Sequence, residues 1–267
     1  MIVVRLKGRL GNQMFQYAAG RALALRLGVD LALDNRVYDD RGPCALDVFN
    51  IVTVEPPRDR LPSREKTLLR RALAYRRGML RTRRELEVAG RRIFTPWLLG
   101  AQDWTYLQGY FQDDGYFADH AETIRRELTP REPPNATASM WLAQIEAEPF
   151  AVSVHVRRGD FVGSQDEHQA GYYRAAMLRL ASRNATFFIF SDDPEWCRRE
   201  LQADNIVTGN APHDDLRLMA ACKDHIRTPG SSFSWWGGWL QGGESTAGEP
   251  HTVRGYLTRE RSHSRWS

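Results

Sequence analysis

The residues best equipped for chemistry stand together in the stretch Phe150 to Phe161, FAVSVHVRRGDF, where His155, Arg157, Arg158 and Asp160 close a run containing Ala151, Val152, Val154 and Val156. Two adjacent guanidiniums in a glycine turn suit a diphosphate, because each can bond two oxygens and neither loses its charge at physiological pH. A purely structural ion pair with Asp160 accounts for the same residues. Side chains alternate along a strand, so His155 and Arg157 share one face while Val156 and Arg158 take the other. That asymmetry makes Arg157 the expected ligand and Arg158 the structural or peripheral member of the pair. His155 and Asp160 complete the candidate catalytic set with Arg157, although a cationic neighbour depresses their basicity.

Two further strand ends carry polar groups. Ser191, Asp192 and Asp193 precede Pro194. Asp193 before a proline reads as a helix N-cap, which leaves Asp192 for a ribose or a base. Gly230, Ser231, Ser232, Phe233 and Ser234 open an apolar helix, where hydroxyls and backbone N–H groups can meet an anion. Near the start, KGRLGNQ sets Gly8 and Gly11 in a tight turn before a helix, with Asn12 as the expected N-cap. It is neither a Walker loop nor a dinucleotide fingerprint, and it reads equally as a packing turn or a ligand loop. No DxD spacing and no CxxC pair marks a metal site, so metal-independent chemistry is expected.

The elements that must position these groups can be read from periodicity. Ile2 to Leu6 reads as a strand and Met14, Phe15, Ala18, Ala22 and Leu25 as a helix face, followed by a second strand over Val29 to Leu33. From Met140 onward, strands and helices alternate at lengths that imply a parallel sheet with helices on both faces. The Pro-rich TPREPPNAT suggests a linker, and domains of 1–138 and 139–267 are expected. Between them, Trp104 to Phe117 gathers aromatics around Gln108, Gln112, Asp113 and Asp114. These suit stacking on sugar C–H faces, or else a strand and a capped helix with the rings in the core.

The 267 residues are 42% hydrophobic, with a net charge of +4, which describes an ordinary folded chain that favours anionic partners. Only three of the basic residues are lysines, so an individual arginine carries less meaning than usual. Arg60 to Arg92 holds twelve Arg or Lys against three Glu, with apolar residues at roughly helical intervals. A solvated helical pair explains this, as does a basic face for a membrane surface; no aromatics beyond Tyr75 favour nucleic acid. With the strand-like IVVRL at the start no signal peptide is expected, no run is long enough to span a membrane, and Cys44, Cys197 and Cys222 are too scattered for a disulfide framework. A cytoplasmic protein is expected, with peripheral attachment at an inner membrane face left open.

GRLGNQMFQYAAGRALA, YLQGYFQDDGYF, HVRRGD, FSDDPEWC and SSFSWWGGWL, in this order, resemble the motifs of glycosyltransferase family 11, the α-1,2-fucosyltransferases, in its soluble bacterial form. The resemblance runs from Met1 to about Gln241. It implies an α/β chain of GT-B type, with two Rossmann-like domains facing a central cleft. It also implies inverting transfer of L-fucose from GDP-β-L-fucose to the 2-hydroxyl of a galactoside, without a metal or other cofactor. By the same resemblance Arg157 binds the donor diphosphate, Asp192 or Asp193 the guanosine, Ser231 to Ser234 the phosphates, and the Gly8 to Gln13 loop, with Gly11, Asn12 and Gln13, reaches the donor from the first domain. Ser191 and Arg158 fall in the same donor set, and the acceptor is a galactose-containing oligosaccharide. The polar tail after Gln241 departs from the family pattern, lacking its Pro-x-x-Trp-Phe ending. A non-catalytic glycan- or nucleotide-binding protein on the same scaffold is the alternative reading.

Overall fold

The computed structural model describes residues 1–36, 44–57, 61, 81–84, 87–88, 91–92, 94, 96–164 and 168–242. The chain divides into two compact units, the first ending at Thr129 and the second starting at Pro130, within the Pro-rich stretch and ahead of residue 139. Each unit is built on a parallel four-stranded sheet.

In the first unit β1 (Ile2–Arg5) lies between β2 (Leu31–Asp34) and β6 (Thr105–Gln108), and β3 (Arg81–Arg84) extends the sheet beyond β6. β4 (Glu87–Val88) and β5 (Arg91–Arg92) form a separate short hairpin. Ile2, Val3 and Val4 are fully buried, as apolar β-branched residues in a strand covered on both faces should be. α1 (Leu10–Leu27) follows, buried along nearly its whole first half, and Gly28 ends it in the left-handed conformation. The helix begins at Leu10 with Arg9 at the cap, so Asn12 stands inside the first turn and is not the N-cap. α2 (Ala121–Glu127) is fastened to α1 by Glu127, which accepts from the Tyr17 hydroxyl and from both Nε and Nη2 of Arg21.

The described part of the Arg-rich stretch corrects the helical reading of Arg60 to Arg92: residues 81–84, 87–88 and 91–92 are strands. Parallel pairing of β3 with β6 overrides a pattern that only roughly fitted a helix. Residues 62–80 lie outside the described residues. Among the described residues no helix is long and apolar enough to cross a membrane.

The second unit carries the sheet order β10 (Asp224–Ile226), β7 (Ala151–Val156), β8 (Thr186–Ser191), β9 (Ile206–Val207), all parallel. Its described helices are α3 (Ala136–Ala147), α4 (Ala170–Ala181), α5 (Pro194–Leu201), α6 (Pro212–Ala221) and α7 (Ser232–Leu240). The alternation along β7 sorts its neighbours. Val152, Val154 and Val156 pack with Tyr173 of α4 and with Trp196, Cys197 and Leu201 of α5. Ser153 and His155 point the other way, to His225 of β10 and the Phe233 ring of α7. Burying each of these valines contributes roughly 1.5 to 3 kcal/mol, which fixes the register and therefore which residues leave the sheet at its carboxyl edge. Trp235 stacks on Trp239 at 5.8 Å and Trp236 meets both edge-on at 5.0 Å, and the burial of Trp235 and Trp236 makes α7 a core element.

Candidate functional site

Because β7, β8 and β10 are parallel, their carboxyl ends lie on one edge, and the three polar turns read from the sequence meet there. Arg157 leaves β7 with Nε and Nη2 on Asp160 Oδ1, at 2.9 and 2.5 Å, and Nη1 on Asp192 Oδ2. Three of its five N–H groups are thereby used. Among the described residues the remaining two, one on each terminal nitrogen, have no partner, so the fork keeps donors for an anion while its orientation is fixed by carboxylates.

Arg158 turns to the opposite side. Its Nε donates to Asp193 Oδ2 at 3.1 Å and its guanidinium lies 4.3 Å from the Trp196 ring centroid, on the side of Val156. Asp193 caps α5, accepting from the Trp196 N–H at 3.1 Å, and Ser191 Oγ donates to the Val156 carbonyl while accepting from the Asp193 N–H. Asp192 accepts from the Arg158 N–H at 2.8 Å as well as from Arg157. A Cβ on Gly159 would lie 2.7 Å from Asp192 Oδ2, so a side chain here would push that carboxylate aside.

His155 stands below this turn, 8% exposed, with its ring 5.3 Å from that of Phe233 and Nδ1 buried without a partner among the described residues. Burial pulls its pKa down to about 4, opposed by the Asp192 charge, so the imidazole is neutral at pH 7 and is not a cationic acid there.

At the end of β10 the chain passes through Thr228 into α7. Ser231 Oγ caps the helix by accepting from the Ser234 N–H, and Ser234 Oγ accepts from the Thr228 N–H at 2.9 Å. Both hydroxyls serve the local fold. The half-buried Ser232 and Phe233 supply first-turn N–H groups that no helical carbonyl reaches. An anion there meets two such amides and the positive end of the helix dipole.

In the first unit, Gly8 takes φ +81° and turns the chain from β1 into α1. Gln16 bonds both the N–H and the carbonyl of Lys7 and reaches the Gly109 carbonyl beyond β6. Gln13 is buried, donating to the Gly8 carbonyl and accepting from Cys44 Sγ; Gly11 is buried beside it. Asn12 is half-buried, and its Oδ1 accepts from Gln112 Nε2 at 2.7 Å. The glycine loop and the aromatic stretch are thus one structure. Tyr106, Phe111, Tyr116 and Phe117 are core residues, with Phe111 and Tyr116 edge-to-face at 5.5 Å, which decides for the core reading of those rings. Asp113 caps a short 3-10 turn by accepting from the Gly115 N–H.

The sequence profile described as glycosyl transferase family 11 matches residues 93–255, more than half of the chain. The chain belongs to glycosyl transferase family 11. It is 33% identical to an α-1,2-colitosyltransferase of Escherichia coli, over 90% of this chain and 88% of that one, and 28% identical to the O-antigen biosynthesis glycosyltransferase WbnK of the same organism, over 88% of each. A galactoside α-(1,2)-fucosyltransferase 1 of Bos taurus is 27% identical over 90% of this chain and 66% of its own length. Among solved structures, the fucosyltransferase NodZ from Bradyrhizobium superposes with a TM-score of 0.53 at 15% identity, covering 88% of this chain and 92% of that one. A variant of Arabidopsis thaliana FUT1 in complex with GDP gives 0.52 at 11% identity, covering 90% and 68%. The fold is therefore of the GT-B type, with a Rossmann-like sheet in each unit.

Within this family 11 glycosyltransferase, the sequence reading missed Thr228, Tyr173 and the pairing of Asn12 with Gln112. Thr228 is 1% exposed and bonds the carbonyl of His155, the N–H of Arg157 and the Tyr173 hydroxyl. A lone threonine between a strand and a proline gives no signal of this, since its partners are far away in sequence. Among the described residues no cluster of three or more His, Cys, Asp or Glu could hold a metal ion. Cys44, Cys197 and Cys222 are buried free thiols, and burial pushes the pKa of Cys44 up to about 11 and of Cys222 to about 12, away from thiolate chemistry.

Proposed function

We propose that this glycosyltransferase moves L-fucose from GDP-β-L-fucose to the 2-hydroxyl of a terminal β-galactoside on an oligosaccharide or surface glycan, with inversion at C1 and without a metal. The observation that carries the reading is Arg157 in a family 11 chain, with two N–H groups left over on the same sheet edge as the α7 N-terminus. Cationic and dipolar donors at one edge suit a nucleoside diphosphate as leaving group. The names of the relatives support a galactoside 2-hydroxyl as acceptor, and GDP in a structure of the same fold supports the nucleotide.

In this reading the bond from fucose C1 to the β-phosphate oxygen breaks and its electron pair leaves with GDP. The galactose O2 bonds to C1 from the opposite face and gives up its proton to solvent water. Arg157 and the first-turn amides of Ser232 and Phe233 stabilise the growing phosphate charge, the task a divalent cation performs in other transferases. Asp192 and Asp160 hold the guanidinium in place, and the first unit takes the acceptor. Incubation with GDP-fucose and a β-galactoside, followed by mass measurement and NMR of the new linkage, tests this: a fucosyl mass gain in α-1,2 linkage is expected, and no gain with any galactoside contradicts it.

One observation favours a second reading, in which the donor carries colitose: the relative at 33% identity is a colitosyltransferase. Competing the two GDP-sugars in the same assay separates the readings by product mass.

A further inference from the structure

Beyond the residues already given a role, Thr228 joins the two halves of the anion site. The β7–β10 ladder ends with Ile226 opposite Val154. In a parallel ladder a residue bonds the carbonyl before and the N–H after the residue it faces. Two positions past the last pair, the Thr228 side chain does this in place of its backbone: Oγ1 donates to the His155 carbonyl at 2.7 Å and accepts from the Arg157 N–H at 2.9 Å, the two groups flanking Val156. A hydroxyl has one proton and two lone pairs, so the Tyr173 hydroxyl at 2.9 Å must donate to the last of these.

The main chain of Thr228 is thereby released for α7. Its N–H donates to Ser234 Oγ at 2.9 Å and its carbonyl accepts from the Ser231 N–H at 3.1 Å. One residue, buried from solvent, bonds the backbone from which the Arg157 fork springs and the cap from which the α7 amides project. We propose that Thr228 is a positioning residue, which fixes the spacing between the Arg157 guanidinium and the α7 N-terminus so that both can engage one diphosphate. This rests on the reading of that edge as the nucleotide-sugar site.

The test is calorimetric titration of the full chain with GDP, alongside thermal melting and the split between donor KM and kcat, for Thr228→Val and Thr228→Ser. Valine keeps the shape and deletes the hydroxyl; serine keeps the hydroxyl. Thr228→Val is expected to weaken GDP roughly tenfold and to raise donor KM in step, by losing two bonds to the arginine turn and displacing it, while Thr228→Ser stays within roughly threefold of the parent. A Thr228→Val protein that melts lower but binds GDP as the parent does overturns the proposal, because a merely structural threonine would behave so. Should Thr228→Val fail to fold, Ser234→Ala decides: it cuts the link on the α7 side, a several-fold loss of GDP affinity is expected, and parental affinity overturns the proposal. If the parent itself takes up no GDP, the nucleotide-site reading fails and the coupling with it; a parent that binds alongside unaffected variants sinks the coupling alone.

Discussion

Arg157 and Arg158 are chemically identical neighbours, and their surroundings separate them. Arg158 is used up by Asp193 and the Trp196 face, whereas Arg157 is oriented by two carboxylates and retains two N–H groups. The expectation that alternation along β7 would divide them agrees with this geometry, because Trp196 packs in the same core as Val154 and Val156. Asp192 is the pivot, bonding the side chain of one arginine and the backbone of the other. Its seat depends on the missing Cβ of Gly159. In a Gly159→Ala variant the new carbon would meet Asp192 Oδ2 at 2.7 Å. Steady-state kinetics is expected to give at least a tenfold lower kcat/KM, about 1.4 kcal/mol of lost transition-state stabilisation, with cooperative melting retained. Unchanged kinetics would mean that Asp192 does not hold the fork.

At the scale of elements, α7 is both a buried tryptophan helix and the rim of the site, and its cap serves both. Ser231→Ala removes the acceptor for the Ser234 N–H. Denaturation should register a loss of about 1 kcal/mol, and GDP affinity should fall with it; a stability loss with unaltered GDP binding would separate cap from site. How far such elements can be read from sequence depends on how local their causes are. The β7 and β8 strands, the Asp193 cap and the tryptophan helix follow from residues within a few positions of one another, and they stand as expected. The start of α1 departs from the expectation: Asn12 is a good cap type, yet the helix starts at Leu10, where Gln13 and Gln16 bond back to Gly8 and Lys7 ahead of it. β4 and β5 pair only with each other over two residues each, too short for a periodic signal, whereas β3 is not legible locally because its pairing partner β6 lies about twenty residues on. Thr228 was invisible for the same reason, on a longer span.

Across the whole molecule, buried ionisable groups set opposing responses to acid. Burial lowers the pKa of His155 and His225 to about 4, with the Arg227 charge adding to the effect on His225 and Asp192 and Asp224 opposing it. Each histidine is neutral in the fold and protonates first in the unfolded chain, so its contribution is complete above pH 6.5 and is lost as pH falls towards 4. Asp215 works the other way: burial raises its pKa to about 7, so the fold takes up its proton first and gains stability as pH falls from 7 towards 4. Among these three groups the two histidines outweigh Asp215 as pH falls below about 6, so together they lower stability towards acid. Asp215→Asn deletes the opposing group, and urea denaturation at pH 7, 6 and 5 should find a steeper loss of stability towards acid than in the parent; an identical slope would contradict the account of Asp215.

The central claim, that the edge of the second unit is a nucleotide-sugar site clamped by Arg157, is met most directly by titrating GDP into the parent and into Arg157→Ala. Removal of a charged fork that bonds phosphate oxygens predicts a loss of roughly a hundredfold or more in GDP affinity, together with transfer, while the melting transition persists. GDP affinity retained in Arg157→Ala would contradict the claim.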